Sequence, residues 1–328
     1  MIDAQFPVVI HYNGYGDRLL CLPAMRALTS LFPNRIKLIC GRRDGYTFFA
    51  DLPLADIIEL DYERAVEGWL FDYEAAAKAV GNCDLLISLN SWYSASIGRL
   101  QRLFSSDSIG LYSKFNHRVA WNHEKHAADR AFDIVRQFKP SLNIEQFSQP
   151  PELPRSEVEH ARFIRRQVPE HRRVMALHTL TTPEKMWSPR KFISVIDEFL
   201  DRHPDYVVFV FDQERFGLDS GKHGDRVFPL PCWAIPIVRS FAILSEADLF
   251  LGVDSCMLHL ADLYRIPGAG LFGPTNPSEF GFRFGPHKHI CSGPSMEDIS
   301  ESDVLSVLEE LVEISETKRS EKLEQRAY

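Results

Sequence analysis

The sequence has no run of about 18 consecutive apolar residues, so it predicts no transmembrane helix. Its first residues lack the basic region and the long apolar region of a signal peptide. The six cysteines include no C-x-x-C pair, which argues against a zinc site and against a dithiol redox motif. Free thiols in a chain of this length favour the reducing cytosol. We therefore expect a cytoplasmic protein.

Basic residues are fewer than acidic residues. The 37 lysines and arginines are outnumbered by 45 aspartates and glutamates, which leaves a formal net charge of −8. Because nucleic-acid binding depends on clustered basic side chains that neutralise phosphates, this balance excludes a general nucleic-acid binder, although not a local basic pocket. A hydrophobic share of 45% and a charged share of 25% are ordinary for a globular chain, and 328 residues suffice for about two domains.

Strands and helices alternate in both halves of the chain, which is typical of α/β domains with parallel sheets. Apolar runs predict strands at 7–12, 36–40, 57–60, 85–89, 173–178, 206–211, 248–253 and 268–273. Apolar spacing of three and four residues predicts helices at 19–32, 189–200, 255–264 and 297–322. A stretch at 140–154, rich in Pro, Ser, Asn and Gln, indicates a linker.

These elements predict three parts of the chain. Residues 1–150 and 151–295 form two Rossmann-like domains, each a doubly wound parallel sheet. Residues 296–328 form a C-terminal helical segment, which we expect to pack back toward the N-terminal domain.

Ligands of doubly wound sheets bind beyond the carboxyl ends of the strands, a rule that selects the segments 13–18, 178–187, 212–214 and 252–259. In the first segment, Gly14 and Gly16 would let a ligand approach the main chain, and Asp17 stands at the start of a helix. Asp17 fits either a helix N-cap or a catalytic carboxylate. The spacing is not a dinucleotide fingerprint, since Leu19 occupies the position of the third glycine.

Polar side chains also follow the next two strand ends. Thr181 and Lys185 lie in a strand-to-helix turn, an arrangement that suits a phosphate but also fits a capped loop with a solvated lysine. Glu214 follows the strand at 206–211 and fits either a contact to ribose hydroxyls or a solvated acid.

The fourth segment places Asp254 and Ser255 at a strand-to-helix turn, with His259 one helical turn later. A Ser–His pair for acyl transfer is one interpretation, although the G-x-S-x-G elbow is absent. The alternative is a helix N-terminus that holds an anion, with the Ser255 hydroxyl and backbone amides as donors. A buried structural histidine at position 259 would fit the sequence as well.

Four motifs occur in order along the chain: Gly-Asp at 16–17, Lys-x-Trp with a proline after one inserted residue at 185–189, Asp-Ser with His-Leu-Ala at 254–261, and Leu-Phe-Gly-Pro-Thr-x-Pro at 271–277. Together they resemble glycosyltransferase family 9, the ADP-heptose-dependent heptosyltransferases of bacterial lipopolysaccharide assembly. The resemblance covers roughly residues 7 to 290.

The resemblance implies a GT-B fold, with two Rossmann-like domains facing a central cleft, the N-terminal one for the acceptor and the C-terminal one for the sugar nucleotide. It implies an inverting, metal-independent transfer of a heptose or related sugar from a nucleoside-diphosphate sugar, which we expect to be ADP-linked. Asp17 would be the general base. The implied donor contacts are Thr181, Lys185, Glu214, Ile235, Asp254, Ser255, Cys256 and His259. Cys256 stands where the family usually has glycine, so its side chain would crowd the diphosphate.

The acceptor stays open. Gly14 and Gly16 would line its approach, and basic residues such as Arg99 and Arg118 fit an anionic acceptor, for example a phosphorylated lipid core reached by peripheral membrane contact. The same arginines fit a solvated face, in which case a soluble acceptor such as an aglycone or aminocyclitol is compatible. A sugar-nucleotide epimerase and a non-catalytic sugar-nucleotide-binding protein remain as alternatives. No bound cofactor or metal is expected in any of these cases.

Overall fold

The computed structural model describes residues 4–42, 44–66, 68–211, 218, 221–230 and 236–326. The chain forms two compact units, Met1–Glu152 and Leu153–Tyr328. Each unit contains a six-stranded sheet in which all neighbouring strands are parallel. The predicted α/β class with two doubly wound parallel sheets is therefore confirmed.

The sheet of the first unit is built around β1, whose residues are all buried. Its strands are β1 (Pro7–His11), β2 (Lys37–Gly41), β3 (Asp56–Leu60), β6 (Leu85–Ser88), β7 (Asp107–Gly110) and β8 (His117–Arg118), while β4 (Tyr62–Ala65) and β5 (Gly68–Phe71) form an antiparallel hairpin. Its helices are α1 (Tyr15–Leu31), α2 (Asp44–Phe48), α3 (Tyr73–Val80), α4 (Ala95–Phe104) and α5 (Ala127–Arg136).

The strand order of this sheet is β3-β2-β1-β6-β7-β8. The chain therefore winds outward from β1 through β2 and β3, and then returns to the other side of β1 at β6. The crevice between the carboxyl ends of β1 and β6 is the topological switch point, which is where ligands of such sheets bind.

The second unit repeats the scheme. Its strands are β9 (Arg173–His178), β10 (Tyr206–Val210), β11 (Val227–Pro229), β12 (Leu249–Val253), β13 (Gly268–Leu271) and β14 (His287–Ile290), in the order β11-β10-β9-β12-β13-β14. Its helices are α6 (Arg155–Arg166), α7 (Pro189–Arg202), α8 (Ile237–Leu244), α9 (Cys256–Leu263), α10 (Pro277–Phe280) and α11 (Glu301–Arg326). The switch point lies between β9 and β12.

Close approach of β9 and β12 depends on a glycine. Gly252 pairs with His178, and a Cβ at position 252 would lie 3.0 Å from the backbone oxygen of His178 and 2.6 Å from the Phe250 ring. Because neither neighbour can move far, a larger residue at position 252 would separate the two strands at the switch point.

The C-terminal helix belongs to the second unit rather than forming a separate segment. Val304, Leu308 and Leu311 on α11 are buried in the same apolar cluster as strand residues of β9, β12 and β13. The apolar face that the sequence predicts for this helix is thus covered within the C-terminal unit. Packing of the segment back toward the N-terminal domain stays a prediction. Among the described residues, no helix has both the length and the apolar character needed to cross a bilayer.

Trp187 connects the start of α7 with the segment that precedes α11. Its ring is buried and packs edge-on against Phe192, and its Nε1 donates a hydrogen bond to the carbonyl oxygen of Ile299, 3.3 Å away. Pro189 occupies the first position of α7, where its missing N–H costs nothing. These two members of the Lys-x-Trp-Pro motif therefore have a structural role.

Candidate functional site

Two strand-to-helix turns meet at the switch point of the second unit. One follows β9 and contains Thr181 and Lys185, and the other follows β12 and contains Asp254 and Ser255. Lys185 Nζ donates to Asp254 Oδ2 over 2.7 Å, and Thr181 Oγ1 donates to the backbone oxygen of Asp254 over 2.9 Å. Side chains that the sequence places about 70 residues apart therefore form one cluster.

The ion pair between Lys185 and Asp254 is largely shielded from water. The exposed fraction of the side chain is 25% for Lys185 and 6% for Asp254. A buried carboxylate is costly unless it is paired and hydrogen-bonded, and here the lysine supplies both the charge and the hydrogen bond.

The two histidines of this cluster have different neighbours. His259 lies on α9 with its Nε2 3.9 Å from Asp254 Oδ1. Ser255 Oγ lies 3.2 Å from Nδ1 of His178, the last residue of β9. The Ser–His pair that the sequence suggested between positions 255 and 259 is thus replaced by a pair between 255 and 178.

α9 begins at Cys256, directly after Asp254 and Ser255 of the same cluster. Burial raises the pKa of the Cys256 thiol to about 11, and the backbone N–H groups of Cys256 and Met257 oppose this shift. Cys256 is therefore a neutral thiol near pH 7. Its side chain stands at the first residue of α9, where an anion bound at the helix terminus would approach.

Asp17 occupies the corresponding position in the first unit. It is the third residue of α1, half-buried, and Gly14 rather than Asp17 is the N-cap. A carboxylate in the first turn is favoured by the helix dipole, which is a structural advantage independent of any catalytic role. Asp17 is therefore not the N-cap of α1, so that interpretation is wrong. The interpretation of Asp17 as a catalytic carboxylate stays a prediction.

Gly14 does not need the conformational freedom of glycine. Its φ of −65° and ψ of 166° are open to any residue, and among the described glycines only Gly81 and Gly293 have positive φ. A Cβ at position 14 would lie 3.7 Å from Asp17 Oδ2, an ordinary van der Waals contact. The absent side chain leaves space beside the carboxylate, and Gly16 lies inside α1.

Sequence reasoning missed the residues that follow β6 and contact the Asp17 turn. Asn90 Oδ1 accepts a 2.7 Å hydrogen bond from the backbone N–H of Tyr12, and Trp92 Nε1 donates to Asn13 Oδ1. The strand at 85–89 was predicted, and the strand-end rule applied to it would have found Asn90. These contacts fix the turn between β1 and α1 against the neighbouring strand.

Burial shifts the pKa of two titratable side chains at the first helix, His11 and Cys21. Burial lowers the pKa of His11 to about 3, with a further contribution from the nearby Arg18 cation, so His11 is a neutral imidazole. Burial also raises the pKa of the Cys21 thiol; the charge of Asp17 raises it further and that of Arg130 opposes this. A buried arginine of α5 therefore lies close to the same thiol as Asp17.

The two arginines considered for the acceptor are exposed. Arg99 lies on α4, where its Nη1 is 3.4 Å from the Tyr73 hydroxyl and its guanidinium lies over the Tyr73 ring. Arg118 lies on the edge strand β8. Glu214 and Ile235, predicted as donor contacts, lie outside the described residues.

Comparison with solved structures gives the fold of the protein. The chain is similar to the glycosyl transferase family 9 protein from Veillonella parvula, with 16% identity, a TM-score of 0.77, and coverage of 94% of this chain and 97% of that one. E. coli ADP-heptose lps heptosyltransferase II is 15% identical with a TM-score of 0.69, over 95% of this chain and 99% of that one. E. coli heptosyltransferase WaaC with ADP is also 15% identical, with a TM-score of 0.66, over 93% of this chain and 99% of that one. The protein therefore has the GT-B fold.

The family follows from sequence. The profile of glycosyltransferase family 9 (heptosyltransferase) matches residues 74–308, which is more than half of the chain. The protein belongs to that family. A comparison with curated proteins gives no match.

Proposed function

We propose that the protein transfers a heptose or a related sugar from an ADP-linked donor to an acceptor hydroxyl, with inversion and without a metal ion. The observation that carries this proposal is the cluster of Lys185, Asp254 and Ser255 at the first turn of α9, in a chain of glycosyltransferase family 9. E. coli WaaC, which has the same fold, is known with ADP and with ADP-2-deoxy-2-fluoro heptose.

The C-terminal cluster has the groups that a sugar nucleotide needs. Lys185 and the amides at the start of α9 supply positive charge and donors for the diphosphate, with the hydroxyls of Thr181 and Ser255 beside them. Asp254 offers acceptors to the sugar hydroxyls, and His259 flanks it. Glu214 and Ile235 retain their proposed contacts to the ribose and the base, and Cys256 limits how closely the diphosphate approaches.

In this mechanism the acceptor hydroxyl attacks the anomeric carbon as the nucleoside diphosphate leaves. Asp17 takes the hydroxyl proton, and the open side of Gly14 lets the acceptor reach it. The leaving diphosphate gains negative charge, which Lys185 and the α9 dipole stabilise. The sugar becomes oxocarbenium-like in the transition state, so inversion follows from a single displacement.

The donor and the acceptor can be tested together. Purified enzyme is incubated with ADP-heptose, alone or with heptose-deficient lipopolysaccharide core or with soluble aminocyclitols, and the release of ADP and the sugar products are followed. Transfer to the core supports an anionic acceptor, and transfer to a soluble compound supports the alternative. Isomerised donor without acceptor would indicate an epimerase, and binding without turnover a non-catalytic protein.

Asp17→Asn tests the base. It should lower kcat by about 10²- to 10⁴-fold and leave ADP affinity unchanged, because only proton transfer is lost. Asp129→Asn is a matched control, since Asp129 is likewise half-buried and the third residue of its helix, α5. Equal losses in both variants, or a parallel loss of ADP affinity, would make Asp17 a structural residue.

A further inference from the structure

Ser255 stands at the N-cap of α9 but makes no side-chain hydrogen bond to the helix. Serine at this position normally accepts from the N–H of the second or third helical residue. Ser94 and Ser295 behave in that way in the same chain, accepting from the N–H groups of Ile97 and Glu297. The Ser255 hydroxyl is instead 3.2 Å from Nδ1 of His178.

His178 is held firmly where it can reach this hydroxyl. It is the last residue of β9 and pairs in register with Gly252, whose lack of a side chain keeps β9 and β12 close. The turn that follows His178 is joined to the turn of Ser255 by two further contacts, from Thr181 and from Lys185, both to Asp254. The imidazole therefore lies at the switch point, half-exposed, beside the residues proposed to bind the diphosphate.

The position of the Ser255 hydroxyl determines what occupies the first turn of α9. A hydroxyl oxygen is a good acceptor and would compete with a phosphate oxygen for the backbone amides. No serine cap occupies these amides, because the Ser255 side chain makes no hydrogen bond to the helix. A diphosphate oxygen that binds there has no serine hydroxyl to displace.

We infer that His178 is a positioning residue, which holds the Ser255 hydroxyl away from the N-terminus of α9 and so keeps the first-turn amides open for the leaving diphosphate. The inference rests on the proposed function, because it needs the diphosphate to bind at this terminus. His178 acts through Ser255 and takes part in no covalent step.

The test is a double-mutant cycle read by calorimetric titration with ADP. In His178→Leu the imidazole nitrogen is lost, Ser255 caps the helix, and ADP affinity should fall about fivefold, the value of one N-cap interaction. His178→Asn should retain near wild-type affinity, since its amide can present a hydrogen-bonding atom where Nδ1 stands. In the Ser255→Ala background no hydroxyl is left to compete, so His178→Leu should have no further effect.

The outcomes separate the inference from the proposed function. If the wild type binds ADP and His178→Leu binds it with the same affinity, the role of His178 is overturned and the proposed function stands. The same holds if His178→Leu lowers ADP affinity equally in the presence and in the absence of the Ser255 hydroxyl. Absence of ADP binding by the wild type overturns the proposed donor and the inference with it. Thermal unfolding midpoints of all variants show whether any loss of ADP affinity is a loss of folded protein. A loss of ADP affinity in folded His178→Asn as large as that in His178→Leu also counts against the inference.

Discussion

The ion pair between Lys185 and Asp254 bears on donor binding in the proposed function. Lys185 lies 2.7 Å from Asp254, so in that function the buried carboxylate competes with a diphosphate for the lysine. A bound sugar nucleotide would offer a new partner to each member of the pair. This exchange can be tested by removing only the charge of the carboxylate.

Asp254→Asn should raise ADP affinity several-fold, because Lys185 is then free to bind the diphosphate. The affinity for ADP-heptose should rise less or fall, since the sugar hydroxyls lose a carboxylate acceptor. Titration with both ligands measures the ratio. Glu310→Gln is the matched control: it neutralises the partner of Lys288 in an exposed pair of 2.6 Å, and neither affinity should change. A fall in ADP affinity in Asp254→Asn would show that Asp254 orders Lys185 rather than competing for it.

Cys256 should be slow to react with alkylating reagents. With a pKa of about 11, roughly one thiol in a thousand is ionised at pH 8, and only the thiolate is nucleophilic. Peptide mapping after brief iodoacetamide treatment at pH 8 should find Cys291, which is exposed, modified well before Cys256. The rate at Cys256 should rise with pH up to about 11. Preferential labelling of Cys256 at pH 8 would mean that its thiolate is stabilised and not disfavoured.

At the scale of elements, Asp262 connects α9 to the loop before β14. Its carboxylate lies near the C-terminus of the helix, where the dipole disfavours negative charge. It is nevertheless buried, because it accepts hydrogen bonds of 2.7–2.8 Å from the backbone N–H groups of Arg283, Phe284 and Gly285. This residue therefore fixes the end of the helix whose other end forms the candidate site.

Asp262→Ala should lower the free energy of unfolding by about 1–3 kcal/mol, because three backbone donors lose their acceptor. Urea denaturation gives the value, and Asp262→Asn should lose less, since one oxygen remains. Asp225→Ala, at an exposed carboxylate of the same unit, should stay within about 0.5 kcal/mol of the wild type. Similar changes at positions 262 and 225 would contradict the role given to the three hydrogen bonds.

Elements differed in how well the sequence predicted them. The continuous apolar runs of β1, β9, β10 and β12 were found within one or two residues, because these strands are buried on both faces. The edge strand β3, which has apolar residues of its own, was found. Two edge strands were missed: β14 reads His-Lys-His-Ile and β8 is only two residues long. Such segments become strands because a neighbouring strand offers hydrogen-bonding partners, and their own composition carries little signal.

Over the whole molecule, one scheme is repeated in the two units, and each candidate site lies at a switch point. The strand-end rule located Asp17, Lys185 and Asp254 from sequence, because it depends only on local order. The pairs that complete the sites join residues 77 and 78 positions apart, namely Ser255 with His178 and Tyr12 with Asn90. A single sequence contains no local pattern for such contacts, since they arise only when the sheet order brings β9 beside β12 and β1 beside β6.

The way in which the charge of the leaving diphosphate is compensated determines whether the enzyme needs a metal ion. A leaving diphosphate needs compensating positive charge, which a divalent cation or protein groups can supply. In the proposed function, Lys185 and the α9 N-terminus supply it. Turnover should therefore be the same in excess EDTA as in millimolar Mg²⁺. Lys185→Ala should lower it in both conditions, and Mg²⁺ should not restore it. A loss in EDTA that Mg²⁺ reverses would assign the charge compensation to a cation and remove Lys185 from that role.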